Sequence, residues 1–538
     1  MRNILFIILL LFCTTSVFCG GYMFRIELKD RGNTPYTIEN PLAYLSEKSI
    51  ERRLRQGIAI DSTDLPINPL YLNEIRLTGA SIKETSKWVK TVTVYLPDSS
   101  AVPALKNLNF VDTLYCVWKG DLPQSDLLKS GRDKYVRSES YNFSPQREMN
   151  MYGDGYRQIS MLNGDLLHDA GFRGKGMSIA VLDGGFQNSD QVPALNLDQI
   201  KEVRNFTHQL EDPLRSTEVH GTRVLSCMLA NQAGIMVGTA PEADYYLFKT
   251  EVGGEEFPVE EDYWVAAMEY ADSIGIDVVN TSLGYSTFDD SLMNHTHEQL
   301  DGYTILASRA ASMAGDKGML IFNAAGNEGN SSWEKITVPS DADNIITVGA
   351  VDAEGVIAAF SSRGLSADKR IKPDLCAMGV STATIKADGN VYLGSGTSFA
   401  SPVLAGAGAC LWQALPQKTN KEIMALMKSS GNKRAIPGSV YGYGIPDVGK
   451  VYTNNATYIA KVSKSNTLLF YDTATNYLYL KNTDYQEINL NIFNSQGQLI
   501  IQNKNAIMPI DLNYLNRGVY IVHVRQGEKQ ATQKFIKW

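Results

Sequence analysis

Residues 179–185 read Ile-Ala-Val-Leu-Asp-Gly-Gly, an apolar run that ends in a carboxylate and two glycines. Similar apolar runs recur at residues 245–248, 277–280, 319–324 and 345–348, with helical patterns between them. Strands that are apolar throughout are buried on both faces, as in parallel sheets covered by helices. The sequence therefore predicts an α/β domain with a doubly wound, mostly parallel sheet, which we expect to span residues 156–452.

Two further folded segments are expected, because 538 residues exceed what one hydrophobic core usually organises. Upstream, the alternation of Phe24, Ile26 and Leu28 predicts a strand within a small α+β domain over residues 21–118. Its remaining predicted elements are helices at 42–56, 69–78 and 102–108 and strands at 88–96 and 110–117. Downstream, short alternating runs and turn residues predict an all-β sandwich module over residues 463–538.

Polar segments join these predicted domains. Residues 119–155 contain Arg132, Lys134 and Arg137 among serine and aspartate, which predicts an exposed linker. Residues 452–465 are rich in asparagine, threonine and serine and predict a second linker, before the all-β module.

The amino terminus has the pattern of a secretory signal peptide, which we place at residues 1–20. Arg2 precedes an apolar run at residues 4–12, which is too short for the ~20 residues that span a bilayer. A buried amino-terminal strand is the alternative. Cys19 raises the question of a lipid anchor, but the bulky Phe18 before it disfavours that processing.

Charge and cysteine usage exclude several classes of protein. The formal net charge of -8 and the lack of a Lys/Arg-rich stretch argue against nucleic acid as a partner. Beyond the signal region the cysteines are Cys116, Cys227, Cys376 and Cys410, and no Cys-x-x-Cys pair occurs, which excludes a zinc ribbon. We expect buried thiols, although disulfides stay open and the sequence does not give their pairing.

The best candidate for a nucleophile is Ser398. Residues 394–402 read GSGTSFASP, so a glycine-rich turn leads into a helix of small and apolar residues. The backbone N–H groups at such a helix start can stabilise the anion that forms when a serine oxygen attacks a carbonyl. The alternative is that the serine only caps the helix.

A serine nucleophile needs a base and an acid that orients it. Of the six histidines, His220 alone opens a glycine-containing helix start, HGTRV. Asp183 ends the run at 179–182 and so lies at the carboxyl end of a predicted parallel strand, where such sheets bind ligands. Asn327, in AGNEG directly after the run at 319–324, can donate its side-chain amide to an oxyanion.

The motifs DGG at 183–185, HGT at 220–222, AGNEG at 325–329 and GTSFASP at 396–402 resemble the signature sites of the subtilisin (subtilase) family. The resemblance covers about residues 156–449. It implies peptide-bond hydrolysis through an acyl-enzyme, with Asp183, His220 and Ser398 as triad and Asn327 as oxyanion donor. The family usually has serine or threonine after the catalytic aspartate, whereas this chain has Gly184, so a supporting hydroxyl is absent.

The resemblance also implies a way of binding substrate. Protein or peptide substrates would lie extended along Ser282, Leu283 and Gly284, with Gly326 and a residue near Thr337 completing the pocket for the side chain before the cut. The small lining residues suggest room for sizeable apolar side chains. No cofactor is expected in catalysis and no metal ligands are assigned. Structural calcium is possible but not assignable, and Asp289 and Asp290 read as a solvated turn.

The same resemblance implies roles for the two flanking domains. Residues 21–118 resemble a subtilase prodomain that assists folding and inhibits the enzyme, with processing expected within residues 119–155. Residues 463–538 resemble the sorting domain of type IX secretion cargo, with a generic adhesion module as the alternative. The implied partner is secretion machinery, and the implied location is secreted or cell-surface, outside the outer membrane of a Gram-negative bacterium.

Two other functions agree less well with the sequence than a subtilase does. A lipase or esterase is disfavoured because Ala400 stands where its nucleophile motif needs glycine, and because its residues follow the order Ser, Asp, His. A non-catalytic binding or adhesion protein on a decayed scaffold is disfavoured because all four catalytic candidates are present.

Overall fold

The computed structural model describes residues 20–120, 151–460, 469–472, 477–480, 488–494, 496–504, 510–516, 518–526 and 529–537. The chain divides into two compact units, Met1–Tyr452 and Thr453–Trp538. Nearly all of the predicted signal peptide and residues 121–150 of the predicted first linker lie outside the described residues. Among the described helices, none combines the length and the apolar character that crossing a membrane requires.

The first unit begins with a four-stranded antiparallel sheet in the order β2-β3-β1-β4. Its elements are β1 (Gly21–Leu28), α1 (Glu47–Gln56), α2 (Pro69–Leu77), β2 (Ser81–Ser86), β3 (Thr91–Leu96), α3 (Val102–Lys106) and β4 (Val111–Gly120). Ile26 on β1 and Val92 and Val94 on β3 are buried in a core that also contains Ile75 of α2 and Leu105 of α3. This arrangement is the small α+β domain that the sequence predicted.

Two predicted boundaries in this domain are wrong. Helix α1 begins at Glu47 rather than at residue 42, because the Ser46 side chain accepts a hydrogen bond from the Ser49 N–H and caps the helix there. The strand predicted at 88–96 begins at Thr91, because Lys90 turns the chain with φ of 58°. The strand β2 before that turn was missed.

An α/β domain with a larger sheet follows in the same unit. Its elements are α4 (Tyr156–Ser160), α5 (Asp165–Asp169), β5 (Ser178–Asp183), β6 (Ile200–Asn205), α6 (His220–Leu229), β7 (Asn231–Gln232), β8 (Met236–Val237), β9 (Asp244–Lys249), α7 (Val259–Ile274), β10 (Val278–Thr281), α8 (Leu306–Asp316), β11 (Leu320–Ala324), β12 (Ile346–Val351), β13 (Leu375–Met378), β14 (Thr382–Ile385), β15 (Val391–Gly394), α9 (Thr397–Ala414) and α10 (Asn420–Ser430). Helix α11 (Val448–Ala460) begins in this unit and continues past its last residue, Tyr452. Seven of these strands form one parallel sheet, in the order β13-β12-β11-β10-β5-β9-β6. The predicted doubly wound α/β fold is confirmed.

Both faces of the large sheet are covered, as the uniformly apolar strands require. On β5, Ile179 and Val181 pack into one core with residues of α6 and α9, whereas Ala180 and Leu182 pack into another with residues of α7 and α8. The strand order reverses beside β5: β9 and β6 lie on one side and β10 to β13 on the other. Ligands of open α/β sheets bind at such a reversal, at the carboxyl ends of the strands.

The described ends of the predicted first linker differ in their exposure. Strand β4 runs to Gly120, and Lys119 within it is exposed, as predicted. At the other end Met151 is exposed but Tyr152 is buried, and the carbonyls of these two residues accept from the Gly234 N–H at 3.0 Å and the Val237 N–H at 3.2 Å. The prediction of an exposed linker is therefore wrong for Tyr152, because the chain there already pairs with a neighbouring strand.

Buried charges join the α+β domain to helix α7. Asp272 of α7 binds two arginines of α1, Arg52 and Arg53, and the Arg53 Nη2 to Asp272 Oδ2 distance is 2.5 Å. Arg53 also binds Asp64 at 2.7 Å, and the side chains of all four residues are at most 1% exposed. Burial alone would lower the pKa of Arg53, but Asp272 and Asp64 outweigh it and raise that pKa.

The same helix makes polar contacts with the first sheet. Arg25 of β1 binds Asp262 at 2.6 Å, and Thr93 of β3 donates to the same carboxylate at 2.6 Å. Glu269 accepts the Trp88 N–H at 2.9 Å. Most of the acidic face of α7 is therefore neutralised or hydrogen-bonded by residues of the α+β domain.

The second unit is all β in its described parts. Its strands are β16 (Leu469–Asp472), β17 (Tyr477–Leu480), β18 (Ile488–Asn494), β19 (Leu499–Lys504), β20 (Ile510–Asp511), β21 (Gly518–Gln526) and β22 (Lys529–Lys537). They form antiparallel sheets in the orders β16-β17-β20 and β19-β18-β21-β22. Leu478 of one sheet and Leu490, Val522 and Val524 of the other share one core. The predicted sandwich is confirmed.

We expect Asp272→Ala to destabilise the full-length protein by roughly 3–5 kcal/mol, because it removes the carboxylate bound to buried Arg52 and leaves buried Arg53 with Asp64 alone. The measurement is urea unfolding followed by tryptophan fluorescence, in a chain carrying Ser398→Ala to remove the predicted nucleophile. The matched control is Glu27→Ala, which breaks the partly exposed pair with Arg309 and should cost less than about 1 kcal/mol. Equal losses in the two variants would contradict a dominant role for the buried pair.

Candidate functional site

The four candidate residues lie at strand ends and helix starts around one edge of the large sheet. Asp183 is the last residue of β5, and Asn327 lies three residues after the end of β11. His220 is the first residue of α6 and Ser398 the second residue of α9. The His220 ring lies 5.9 Å from the ring of Phe399, centre to centre, so the two helix starts adjoin.

The acid and the base are hydrogen-bonded. Asp183 Oδ1 lies 2.8 Å from His220 Nδ1, and the two side chains are only 1% and 3% exposed. This contact orients the ring and favours the tautomer with its proton on Nδ1. The Gly184 N–H donates to the same carboxylate oxygen at 2.9 Å. No described residue hydrogen-bonds to the buried Asp183 Oδ2, and Gly184 has no side-chain hydroxyl.

Ser398 lies in the first turn of a helix with 18 residues. The backbone N–H groups of a first turn have no partner within the helix, and the helix dipole makes that end positive. Gly396, the residue before the helix, is extended, with φ of 160° and ψ of 151°, and the helical conformation begins at the next residue. The Ser398 hydroxyl donates to the Ser282 carbonyl at 3.4 Å.

A proline inside helix α9 explains a second contact between these two segments. Pro402 has no N–H, so the Ser398 carbonyl four residues earlier loses its helical partner. The Ser282 hydroxyl donates to that carbonyl at 2.8 Å. Each of the two serines therefore donates its hydroxyl to the carbonyl of the other. The position of Pro402 in the sequence predicts that the Ser398 carbonyl lacks a helical donor. It does not predict that Ser282 supplies the replacement.

Asn280, which the sequence motifs did not single out, connects two of the segments that form the site. Its Oδ1 accepts from the Ser401 hydroxyl at 2.8 Å, and its Nδ2 donates to the Ser282 hydroxyl at 3.2 Å. It thus ties the end of β10 to helix α9, one turn after Ser398. All three of these side chains are buried.

The amide of Asn327 has a defined orientation. Its Oδ1 accepts from the Thr397 N–H at 2.9 Å and from the Thr397 hydroxyl at 3.0 Å. Because a backbone N–H can only donate, the oxygen of the amide must face Thr397. The NH₂ group is then directed away from Thr397 and is available as a donor beside the first turn of α9.

The predicted substrate-binding residues extend β10 and β11 beyond the sheet edge. Ser282, Leu283 and Gly284 directly follow β10, and Gly326 follows β11, with β10 and β11 paired in the sheet. Both glycines contact Thr337: a Cβ on Gly284 would lie 2.0 Å from Thr337 Oγ1, and one on Gly326 would lie 2.9 Å from it. Thr337 is therefore packed closely against both segments, in a space that a side chain at either glycine would need.

Three acidic groups cluster near this edge. Carboxylate oxygens of Glu251, Glu256 and Glu260 lie within 4.8 Å of one another. Glu260 accepts the Val252 N–H at 2.7 Å and Glu251 accepts the Tyr285 hydroxyl at 2.7 Å, so neighbouring residues hold two of the three carboxylates in place. Asp290, in the predicted solvated turn, binds Lys119 at 2.7 Å.

Taken together, these groups can perform acyl transfer. A hydroxyl at a helix start lies near a carboxylate-bound imidazole, and an amide and backbone N–H groups face the region where a carbonyl oxygen would gain charge.

Family models match three parts of the chain. A model described as the subtilase family, peptidase S8, matches residues 174–444. A model described as the peptidase S8 propeptide domain of Bacteroidota matches residues 23–130. A model described as a secretion system C-terminal sorting domain matches residues 473–538.

Curated relatives are similar over the same region. Subtilisin E of Bacillus subtilis (strain 168) is 30% identical over 291 residues, which are 53% of this chain and 68% of the relative. The subtilisin of Bacillus pumilus is 30% identical over 291 residues, 53% of this chain and 94% of the relative. The membrane-bound transcription factor site-1 protease of Homo sapiens is 30% identical over 323 residues, 57% of this chain and 28% of the relative.

We expect Ser282→Ala to cost about 1–3 kcal/mol of stability, because it leaves the buried Ser398 carbonyl without a donor. In that background Pro402→Ala should recover most of the loss, since the new N–H can donate to the same carbonyl within the helix. Urea unfolding of the two single variants and the double variant measures this coupling. Additive effects would contradict the assignment of Ser282 as the donor that replaces the proline N–H.

Proposed function

Because the chain belongs to the subtilase family and is a serine-type endopeptidase, we propose that Ser398, His220 and Asp183 are its catalytic triad. The observation that carries this proposal is the 2.8 Å contact between Asp183 Oδ1 and His220 Nδ1 at the start of the helix that adjoins Ser398. In this mechanism the Ser398 oxygen attacks the peptide carbonyl and His220 takes the hydroxyl proton. His220 then gives that proton to the leaving amine, which leaves an acyl-enzyme for water to hydrolyse.

Asp183 holds the imidazole in position and stabilises its charged form. With Gly184 in place of a hydroxyl-bearing residue, this task rests on the His220 contact and the Gly184 N–H.

The oxyanion of the tetrahedral intermediate is bound by the Asn327 amide and the N–H groups of the first turn of α9. Two contacts with Thr397 fix the Asn327 oxygen, which supports a preorganised donor that costs no reorientation during the reaction. The mechanism is carried by protein groups alone, and calcium, where bound, would have a structural role.

Protein or peptide substrates pair in an extended conformation with Ser282, Leu283 and Gly284. The side chain before the scissile bond, P1, is received beside the segments that contain Gly284 and Gly326.

The α+β domain is a peptidase S8 propeptide domain by its family match. We propose that it acts as an intramolecular inhibitor and folding aid, which its buried charge contacts with α7 support. The covalent connection would then be cut between Gly120 and Met151, because both of these ends are packed in the described structure.

The C-terminal sorting domain marks a secreted or cell-surface protein. We propose that secretion machinery at the outer membrane of a Gram-negative bacterium reads this domain, and that the signal peptide at residues 1–20 directs the earlier crossing of the inner membrane.

We expect Ser398→Ala to abolish peptide hydrolysis, and Asn327→Ala to lower turnover by about a hundred- to a thousandfold, the loss found in subtilisin when its corresponding donor is removed. The measurement is steady-state hydrolysis of a peptide substrate, with labelling by a fluorophosphonate probe as a test of the nucleophile. The exposed Ser429 of α10 supplies the control, since Ser429→Ala should keep both activities. Probe labelling of Ser398→Ala at the wild-type level would contradict the assignment.

We expect the wild-type protein to lose its α+β domain by cleavage within residues 121–150, and Ser398→Ala protein to retain it. Amino-terminal sequencing and intact mass of the secreted forms measure the cut. The same mature terminus in both proteins would mean that another protease performs the processing.

A further inference from the structure

Arg223 is a fully buried arginine that lies one turn after His220 on helix α6. It is 1% exposed, and a spacing of three residues places the two side chains on the same side of the helix. Because a guanidinium keeps its charge inside a protein, this position is costly unless neighbouring groups bind the side chain. The groups that bind Arg223 belong to the segments that lead into helix α9.

Two hydrogen bonds join Arg223 to the hairpin that β14 and β15 form. Its Nε donates to the Thr384 hydroxyl at 3.1 Å, and its Nη2 donates to the Leu393 carbonyl at 3.4 Å. Strand β15 ends at Gly394, shortly before Ser398. These bonds therefore connect the helix of the proposed base to the chain that enters the helix of the proposed nucleophile.

The guanidinium also contacts the ring of Phe399, the residue directly after Ser398. The Arg223 guanidinium carbon lies 4.8 Å from the centre of that ring. The same ring lies 5.9 Å from the His220 ring, centre to centre, and Phe399 is buried. One side chain of α9 thus packs against both Arg223 and His220 of α6, and a desolvated cation attracts an aromatic ring more strongly than an apolar neighbour does.

Gly394 shows how closely these groups approach one another. A Cβ at Gly394 would overlap Arg223 Nη2 and would lie 2.6 Å from Phe399 Cε2. Side-chain carbons do not tolerate such distances. Glycine at this position therefore allows the guanidinium and the ring to pack together at the end of β15.

We propose that Arg223 is a positioning residue for peptide hydrolysis: it holds Phe399 against helix α6 and thereby fixes the approach of the Ser398 hydroxyl to the His220 imidazole. This inference rests on the proposed function, because it needs these two residues as nucleophile and base. Proton transfer from the serine requires hydrogen-bond reach between them. A shift of about 1 Å between reacting groups can cost roughly a hundredfold in rate.

The place of the hairpin predicts which kinetic constant depends on Arg223. Strands β14 and β15 form a two-stranded sheet of their own, whereas the segments proposed to bind substrate follow β10 and β11 in the large sheet. Loss of the Arg223 side chain should therefore slow the attack by Ser398 and leave substrate binding almost unchanged. When acylation limits turnover, such a loss appears in kcat and not in KM.

The test compares processed wild-type enzyme with Arg223→Met, Arg223→Lys and Arg173→Met in the hydrolysis of a peptide p-nitroanilide. Arg223→Met keeps the unbranched stem and removes the charge and the donors, so kcat should fall roughly ten- to hundredfold while KM stays within about twofold. Arg223→Lys restores a cation beside Phe399 and should recover part of the loss in kcat. Arg173, which binds Glu242 at 2.7 Å in the same domain, supplies the control, and Arg173→Met should keep the wild-type kcat.

A fluorophosphonate probe that reacts to completion gives the concentration of active sites, so kcat refers to folded enzyme only. Thr384→Val provides a milder variant, because it keeps the shape of the side chain and removes the hydroxyl that accepts from Arg223. Its kcat should also fall, though by less than in Arg223→Met, since the contact with Phe399 remains.

A wild-type kcat per titrated site in Arg223→Met, or a loss confined to KM, would overturn this inference and leave the proposed function standing. If Arg223→Met gives too little folded enzyme to titrate, a wild-type kcat in Thr384→Val would overturn it equally. No hydrolysis together with no probe labelling of the wild-type enzyme would overturn the proposed function itself, and this inference with it.

Discussion

All seven strands of the large sheet run parallel, so their carboxyl ends must meet at one edge, and the site depends on this constraint. Asp183 ends β5, the Ser282 segment follows β10 and Asn327 follows β11, three neighbouring strands of that sheet. The helices that return over the two faces bring their amino termini to the same edge. His220 and Ser398 are therefore supplied by helix starts, where backbone N–H groups lack helical partners and can stabilise negative charge.

Rigidity at this edge comes from hydrogen bonds between segments that are distant in the chain. Pro402 removes the helical partner of the Ser398 carbonyl, and Ser282 replaces it, which fixes the backbone of the proposed nucleophile against the segment proposed to bind substrate. Asn280 joins Ser282 to Ser401 in the same helix. Thr397 fixes the Asn327 amide from the turn before Ser398. The reacting groups are thus held by neighbours that do not themselves react, as preorganised catalysis requires.

Acidic residues of helix α7 link the α/β domain to the α+β domain that precedes it. Asp262, Glu269 and Asp272 would be costly to bury alone, and the α+β domain neutralises or hydrogen-bonds them through Arg25, Arg52, Arg53 and the backbone at Trp88. The two domains consequently belong to one compact unit, while the C-terminal sandwich has its own core. Release of the α+β domain by the proposed processing would expose these carboxylates to water, where their charges are readily solvated.

The sequence by itself determined the fold class and the four candidate site residues, because each depends on a local pattern: an apolar run that ends in Asp183, or a helix start at His220 or Ser398. It also located both flanking domains, though the helix predicted to begin at residue 42 begins at Glu47 and the strand β2 was missed. Only the tertiary structure decided that Ser282 compensates for Pro402, that Arg52 and Arg53 meet Asp272, and that Thr337 lies between Gly284 and Gly326. These partners are tens to hundreds of residues apart, and packing of the whole chain, rather than any local periodicity, chooses which of many possible donors and acceptors meet.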